Sequence, residues 1–253
     1  MTSPTTPTVA APPERGASAA ITLLLAFACG LIAANLYYAQ PLAGPIGASL
    51  GLAPAATGLI VTLTQVGYGL GLLFIVPLGD LVESRRLVRT LIALAGLALL
   101  GAALSTRPAP FLAAVLAIGL VSVAAQVLVP YAAHLAPEAH RGRVVGNVMS
   151  GLLTGIMLAR PAASFIAQAA SWHAVFFLSA AAMAALAVLM GTALPPRRPS
   201  ATLRYVELHA SMARLARTTP VLQRRAAYQA AMFGAFSVFW TTTPLLLARD
   251  WHL

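Results

Sequence analysis

The sequence contains no lysine, a single cysteine and few charged residues of either sign. Charged residues make up 9% of the chain, whereas an ordinary soluble domain carries about 25%, so a soluble fold would have too little polar surface. Cys29 has no second cysteine with which to form a disulfide within the chain. Most of the sixteen basic residues, all arginines, lie in short breaks between apolar runs rather than on one face, which argues against nucleic acid as a partner.

Long apolar runs dominate the sequence. Hydrophobic residues make up 59% of the chain, and the mean hydropathy is +0.83. A bilayer core needs roughly 20 apolar residues of helix, and seven runs meet or approach that length: 18–38, 56–78, 87–105, 111–131, 144–167, 174–194 and 226–247. The sequence therefore predicts an all-α integral membrane protein, with a six-helix bundle over residues 18–194 and a seventh transmembrane helix in residues 226–253.

The segments outside these runs are polar or basic. Residues 1–17 are rich in Thr, Pro and Ala without apolar periodicity, which predicts a disordered cytoplasmic tail. The first apolar run is longer than the core of a signal peptide, about 7–15 residues, so we interpret it as a span. Residues 195–225 form a basic cytoplasmic loop. Its apolar spacing is typical of a partly amphipathic helix on the membrane surface, and a solvated basic linker is an equal alternative.

The arginines alternate between successive connections. Thirteen lie in the tail or after runs two, four and six, whereas Arg107 and Arg249 fall on the opposite side. Short cytoplasmic loops accumulate arginine. The pattern therefore predicts that the N-terminus lies in the cytoplasm, and we expect a multi-pass protein of the inner (plasma) membrane. The basic loops also favour contact with anionic membrane lipids.

The connection between runs two and three has the sequence PLGDLVESRRLV. It resembles the cytoplasmic signature of the major facilitator superfamily, with Gly79, Asp80, Arg85 and Arg86 at the matching positions. The segments ANLYYAQPL, VAAQVLVPYAA and GRVVGNVMSGLLTGIMLARP are similar to the arabinose-efflux and drug–proton-antiporter branch of that family. The resemblance implies a bundle of 3+3 inverted repeats. It also implies the N-terminal half of a two-half transporter plus one further helix, and on that basis we expect the chain to be truncated.

The resemblance further implies a gating role for the signature loop. In the family, the counterpart of Asp80 helps to latch the two halves together on the cytoplasmic side. Arg85 and Arg86 follow closely enough in the sequence to pair with this carboxylate. An exposed ion pair contributes only about 0–1 kcal/mol, so such a latch would open and close reversibly.

Arg160 is the most informative polar residue inside an apolar run. A charged side chain in hydrocarbon costs free energy unless it is paired, so it points first to a function. We favour a position facing the central cavity, where the charge meets an anionic or hydroxyl-rich substrate or takes part in coupling. The alternative is an arginine directed to the outer interface, helped by a kink at Pro161.

Five further polar residues are candidates for the cavity: Asn35, Tyr38, Gln65, Tyr68 and Gln126. A spacing of three places Gln65 with Tyr68, and Asn35 with Tyr38, on one helical face. Binding a solute and bonding a neighbouring helix are equal alternatives for Gln65 and Gln126. For Tyr38, the belt of aromatic residues at the membrane interface is the favoured explanation.

Two pairs of glycines predict close contacts between helices. Gly67 and Gly71 lie four residues apart in run two, and Gly151 and Gly155 repeat this spacing in run five, ahead of Pro161. Each pair makes a smooth strip that lets another helix approach closely. Sliding contacts in a transporter and static packing both use such strips.

The inventory of reactive groups argues against catalysis. The sequence shows no pair of embedded acids, no His–Cys cluster with metal spacing and no phosphate-binding glycine loop, so we predict neither an enzyme nor a metal or cofactor site. All six acids fall in loops or at helix ends, so coupling to protons would use Asp80 or a group in the missing helices.

We expect a secondary transporter that exports a small organic solute, drug-like or sugar-like, by alternating access. Because alternating access requires two bundles around one cavity, activity would need the missing C-terminal half or a second chain. The alternative is a truncated chain that inserts into the membrane without transporting.

Overall fold

A computed structural model describes residues 19–196 and 204–250 of the chain. Within these ranges the chain forms α-helices joined by turns and short 3-10 segments, without β-strands. The predicted tail at 1–17 lies outside the described residues, as do 197–203 of the basic loop and 251–253. The α-helices are α1 Ala19–Ala34, α2 Ala39–Leu50, α3 Leu59–Phe74, α4 Ser84–Ala103, α5 Pro108–Val121, α6 Ala124–Leu135, α7 Arg141–Ala169, α8 Trp172–Ala193, α9 Tyr205–Thr218 and α10 Pro220–Asp250.

Six segments of the described chain are long and apolar enough to cross a membrane. They overlap the first six predicted runs, which confirms the prediction of an all-helical, six-span membrane fold: Ala19–Leu50, Leu59–Asp80, Ser84–Ala103, Pro108–Leu135, Glu138–Ala169 and Trp172–Ala193. The seventh run lies within α10, a continuous helix of 31 residues. That α10 crosses the membrane stays a prediction.

The first span continues beyond its predicted end at Tyr38. α1 stops at Ala34, the chain makes a turn at 35–38, and α2 then runs to Leu50. Pro41 does not end the span because it occupies the first turn of α2, where backbone N–H groups have no intrahelical acceptor. Residues 35–38 therefore lie in the middle of a span of 32 residues.

The fourth span is broken in a similar way. α5 ends at Val121 and α6 begins at Ala124, with Ser122 and Val123 between them. The Ser122 hydroxyl donates to the carbonyl oxygen of Ile118 over 2.7 Å, which satisfies one acceptor at the end of α5. The first and fourth spans are thus both interrupted near their centres.

Three helix pairs make the main contacts of the bundle: α1 with α7, α3 with α5, and α4 with α8. These are the first span with the fifth, the second with the fourth, and the third with the sixth. Exchanging the first three spans with the last three converts the first pair into the second and leaves the third unchanged. This symmetry, with a broken helix leading each trio, agrees with 3+3 inverted repeats.

Glycines set the separation of α3 and α5. A Cβ atom on Gly67 would collide with the backbone carbonyl of Leu116, and one on Gly71 with that of Leu120. In return, a Cβ on Gly119 would collide with the carbonyl of Thr64. The two backbones are in direct contact at these glycines, and any side chain there would push the helices apart.

The α1–α7 crossing repeats this arrangement. A Cβ on Gly151 would collide with the backbone of Ala26, and one on Gly155 with the backbone of Gly30. Pro161 lies farther along α7, which continues through it to Ala169. All four glycines predicted as packing positions therefore lie at close contacts between helix backbones.

α9 lies in the segment predicted as a basic loop, and it packs against the end of α3. The Tyr205 hydroxyl donates to the carbonyl of Phe74 over 2.7 Å, and His209 Nε2 lies 3.0 Å from the carbonyl oxygen of Leu73. The His209 ring also stacks on Phe74, with centroids 5.8 Å apart. The described part of this segment is thus helical, and it caps carbonyl groups at the end of α3. Its position on the membrane surface stays a prediction.

Candidate functional site

A cavity of about 120 Å³ lies where the breaks in the first and fourth spans face α3, α7 and α10. Three of the predicted cavity residues, Gln65, Tyr68 and Gln126, line it. Its remaining polar lining includes Tyr37 and Ser122, and its walls are apolar side chains such as Leu36, Leu152, Ile156 and Phe233. A few polar groups in an otherwise apolar hollow are typical of small-molecule sites.

A hydrogen bond links the two sides of this cavity. Gln126 Nε2 donates to the Tyr68 hydroxyl over 2.9 Å. Gln65 lies one turn before Tyr68 on α3, and its side chain makes no hydrogen bond to the described part of the chain. The amide of Gln65 is therefore available to donate to a solute and to accept from one.

Asn35 does not line the cavity, contrary to the prediction. It is buried between α1 and α8, where Ser179 Oγ donates to its Oδ1 over 2.6 Å and its Nδ2 lies 3.4 Å from Met183 Sδ. Because the first span continues past Tyr38, Asn35 lies at the middle of the bundle and requires partners there. Asn35 thus joins the broken helix to α8.

Tyr38 faces an apolar groove between α1 and α7, and its neighbour Tyr37 lines the cavity instead. The spacing of three from Asn35 assumed a continuous helix. The turn at 35–38 rotates the chain, so that periodicity fails at this point. Tyr38 was predicted to lie in the interface belt or in the cavity. It lies instead in the groove, at the middle of the span.

Arg160, on α7, contacts side chains of α2 and α10. Its Nε and Nη2 both donate to Gln40 Oε1, over 3.1 and 2.8 Å. The guanidinium carbon lies 4.1 Å from the ring centroid of Trp240, 4.8 Å from that of Tyr37 and 5.8 Å from that of Phe236. Sequence reasoning missed Gln40 and the three rings because they come from distant parts of the chain.

The predicted pairing of Asp80 with the following arginines is absent. Arg86 pairs instead with Glu83, Nε to Oε2 over 3.0 Å, and Arg85 donates to the carbonyl of Gly191 at the end of α8. Asp80 is exposed and makes no ion pair with any described residue. Because α4 begins at Ser84, Arg85 lies in its first turn and reaches the carbonyl end of α8. A positive charge is favoured at that end of a helix.

Gly79 lies in the 3-10 segment before that loop. A Cβ atom there would lie 3.4 Å from Val127 Cγ1, an ordinary contact distance, so the position is not closed by backbone as the crossing glycines are. Within the described chain no three His, Cys, Asp or Glu side chains come together as a metal site would require. The described residues thus provide hydrogen-bonding groups in the cavity and the positive charge of Arg160, which contacts the cavity residue Tyr37.

Comparison with known proteins agrees with this architecture. The family model described as Major Facilitator Superfamily matches residues 22–252. The chain is 40% identical over 236 residues to the uncharacterized transporter YgaY of Escherichia coli O157:H7, covering 93% of this chain and 60% of that protein. It is 37% identical over 238 residues to the probable transporter SCO4007 of Streptomyces coelicolor, covering 92% of this chain and 55% of that protein.

The chain therefore spans somewhat more than half the length of these relatives. The six apolar spans, the paired repeats and the family match over nearly the whole chain lead to one conclusion. The chain belongs to the major facilitator superfamily of membrane transporters.

Proposed function

We propose that this chain provides the substrate-binding half of a secondary transporter that exports a small organic solute by alternating access. The observation that carries the proposal is the cavity at the breaks of the first and fourth spans. Gln65, Tyr68 and Gln126 supply polar groups there, deep in the bundle and between the two inverted repeats. Substrate sites between repeats near the midplane are what alternating access requires.

The direction of transport rests on sequence. The segments that line the cavity resemble those of efflux-type members, so we propose export, from a chain whose N-terminus lies in the cytoplasm and whose spans cross the inner membrane. The acids whose side chains are described, Asp80, Glu83, Glu138 and Glu207, lie at or beyond helix ends. Coupling to protons would therefore use the exposed Asp80 or a group contributed by the partner bundle.

A second helical bundle completes the transporter in this proposal. The described residues supply one six-span bundle and α10, and α10 contributes Phe233 to only one side of the cavity. The second bundle is either more of the same polypeptide or another chain. Expressing this chain alone and together with the remaining helices of a YgaY-like relative separates these cases, because a chain that assembles with its own copies would transport alone.

The test measures efflux from cells loaded with ethidium, as a drug-like probe, with radiolabelled arabinose, as a sugar-like one, or with radiolabelled benzoate, as an anionic one. Export above that of cells without the protein, lowered about tenfold or more by Gln126→Leu, supports the proposal, because the substitution removes a half-buried polar partner from the cavity. The matched control is Gln168→Leu, an exposed glutamine at the end of α7.

Two outcomes count against the proposal. Equal efflux from cells with and without the completed protein, at matched membrane insertion, would favour a chain that inserts without transporting. Equal loss of efflux in Gln126→Leu and Gln168→Leu would show that the cavity has no special part in transport.

A further inference from the structure

Within the described part of the chain, the guanidinium of Arg160 lies in a membrane span and has no counter-ion. No carboxylate among the described side chains pairs with it. The ion pair among the described residues joins Arg86 to Glu83, at the start of α4. Its hydrogen-bond acceptor is Gln40, a neutral amide 120 positions away in the sequence. An amide fixes the orientation of the guanidinium but leaves its charge whole, so the site keeps a net positive charge.

One edge of the guanidinium remains open. Nε and Nη2 form the edge that faces Gln40, and both donate to its Oε1. The other in-plane edge, formed by Nη1 and the second hydrogen of Nη2, has no acceptor among the described residues. That edge presents two parallel N–H groups, the geometry in which arginine binds a carboxylate through two hydrogen bonds.

Aromatic rings lie against the charge. Tyr37, Phe236 and Trp240 lie within cation–π distance of the guanidinium carbon, at 4.8, 5.8 and 4.1 Å. Rings stabilise a cation that has left water and do so without neutralising it. The charge of Arg160 is therefore stabilised by the rings but not paired by them.

The charge lies next to the cavity. Ile156, a cavity wall residue, precedes Arg160 by four residues on α7, or roughly 6 Å along the helix. Phe233, another wall residue, stacks on Phe236 with ring centroids 6.1 Å apart. Tyr37 belongs to both places, since it lines the cavity and lies against Arg160. The Tyr37 ring is therefore a shared boundary between the cavity and the guanidinium.

We propose that Arg160 is a substrate-binding residue for a carboxylate, so that the transported solute is a small organic anion. The inference rests on the proposed transport function and names its substrate class. Gln40 is the positioning residue, which holds the guanidinium with its open edge toward the solute. The amide of Gln65, together with Tyr68 and Gln126, would bind the uncharged part of the same molecule.

A purely structural role makes a different prediction. Arg160 could serve only to join α7 to α2 through Gln40. In that case Gln40→Glu would strengthen the link by adding an ion pair and would affect no ligand. If Arg160 binds a carboxylate, the same substitution supplies an internal competitor of nearly identical shape, which neutralises the site and occupies the charge.

The experiment is binding of radiolabelled benzoate to the purified full chain in lipid nanodiscs, at fixed ionic strength, with unlabelled benzoate, benzamide or inorganic phosphate as competitors. Benzamide is the neutral match of benzoate. Melting temperatures of the same samples report whether each variant is folded. Arg107→Gln is the control, because this arginine is exposed at the start of α5, away from the cavity.

We expect saturable binding that benzoate displaces and benzamide does not. Arg160→Gln and Gln40→Glu should each weaken it about tenfold or more, as expected for losing a hydrogen-bonded charge, and Gln40→Glu should melt no lower than the unmodified chain. Arg107→Gln should bind normally. No saturable benzoate binding, equal binding in Gln40→Glu, or displacement by phosphate far better than by benzoate would each overturn the carboxylate site.

The outcome separates this inference from the transport function. Arg160-dependent binding without efflux in any cell assay would keep the anion site and reject transport. Efflux of benzoate that is unchanged in Arg160→Gln would keep transport and reject the anion site.

Discussion

Gly67→Ala tests whether the close contact of α3 with α5 is built into the bundle. A Cβ atom at this position would lie 3.0 Å from both the carbonyl carbon of Leu116 and the amide nitrogen of Leu120, and closer still to the Leu116 oxygen. Optimal contacts between carbon atoms are about 3.5–4.0 Å. Because the neighbours are backbone atoms, no side chain can rotate away, and the two helices must separate.

The magnitude follows from a matched control on the same helix. A Cβ atom on Gly69 would have no neighbouring atom within 4 Å, so Gly69→Ala adds a methyl group in open space. Both substitutions gain the same helix propensity, about 1 kcal/mol, and this gain cancels in their difference. The remaining difference is the cost of overpacking, typically about 1–3 kcal/mol.

The assay is thermal unfolding of the purified chain in one detergent. The fraction that stays folded after heating is measured by size-exclusion chromatography with fluorescence detection. With about 2–4 °C per kcal/mol for a chain of this size, Gly67→Ala should melt several degrees below Gly69→Ala. The same comparison on α7 sets Gly155→Ala against Gly146→Ala, which also has open space around it. Equal melting temperatures within each pair would refute the close-packed crossings.

Two further predictions concern polar contacts. Asn35→Ala should lower the free energy of unfolding by about 1–3 kcal/mol, because it leaves the buried hydroxyl of Ser179 without its acceptor. The same thermal unfolding assay checks this, and an unchanged melting temperature would mean that Asn35 is not a core contact. His209→Ala should speed tryptic cleavage after Arg214 or Arg217 within α9, because it removes the contact of α9 to the Leu73 carbonyl. Limited trypsin digestion checks this, and an unchanged cleavage rate would argue against docking of α9.

The six spans were predictable because each depends on composition alone. An uninterrupted apolar run must bury its backbone polar groups in a helix, whatever its neighbours are. The glycine strips were predictable for a related reason, since a spacing of four places small residues on one helical face. Such properties belong to a single segment, and the sequence of that segment contains them.

The errors lie where two segments decide the outcome together. Pro41 and the polar residues before it look like the end of a span, yet the chain continues as α2. Asn35, near the end of the predicted run 18–38, therefore lies at the buried centre of the span. The turn also exchanged Tyr37 for Tyr38 at the cavity. Arg160 was identified from its cost in hydrocarbon, but its partner Gln40 follows only from the fold.

The cytoplasmic loop illustrates the same limit. Proximity in sequence suggested that Asp80 would pair with Arg85, whereas Arg85 lies against the last turn of α8, more than a hundred positions away. Exposed ion pairs contribute little energy, so the backbone course of the 3-10 segment and α4 decides which groups meet. A pattern of charges along a loop does not fix that course.

Accessibility of Gln65 from the two sides of the membrane tests the central claim that the cavity serves alternating access. Cys29, the only cysteine, is buried, so Cys29→Ser with Gln65→Cys leaves a single reporter thiol in the cavity. Leu97→Cys, on the exposed apolar face of α4, is the control. In the completed transporter, a membrane-impermeant maleimide should label the Gln65→Cys thiol in right-side-out and in inside-out vesicles, and the Leu97→Cys thiol in neither. Labelling of Gln65→Cys from one side only would contradict the account.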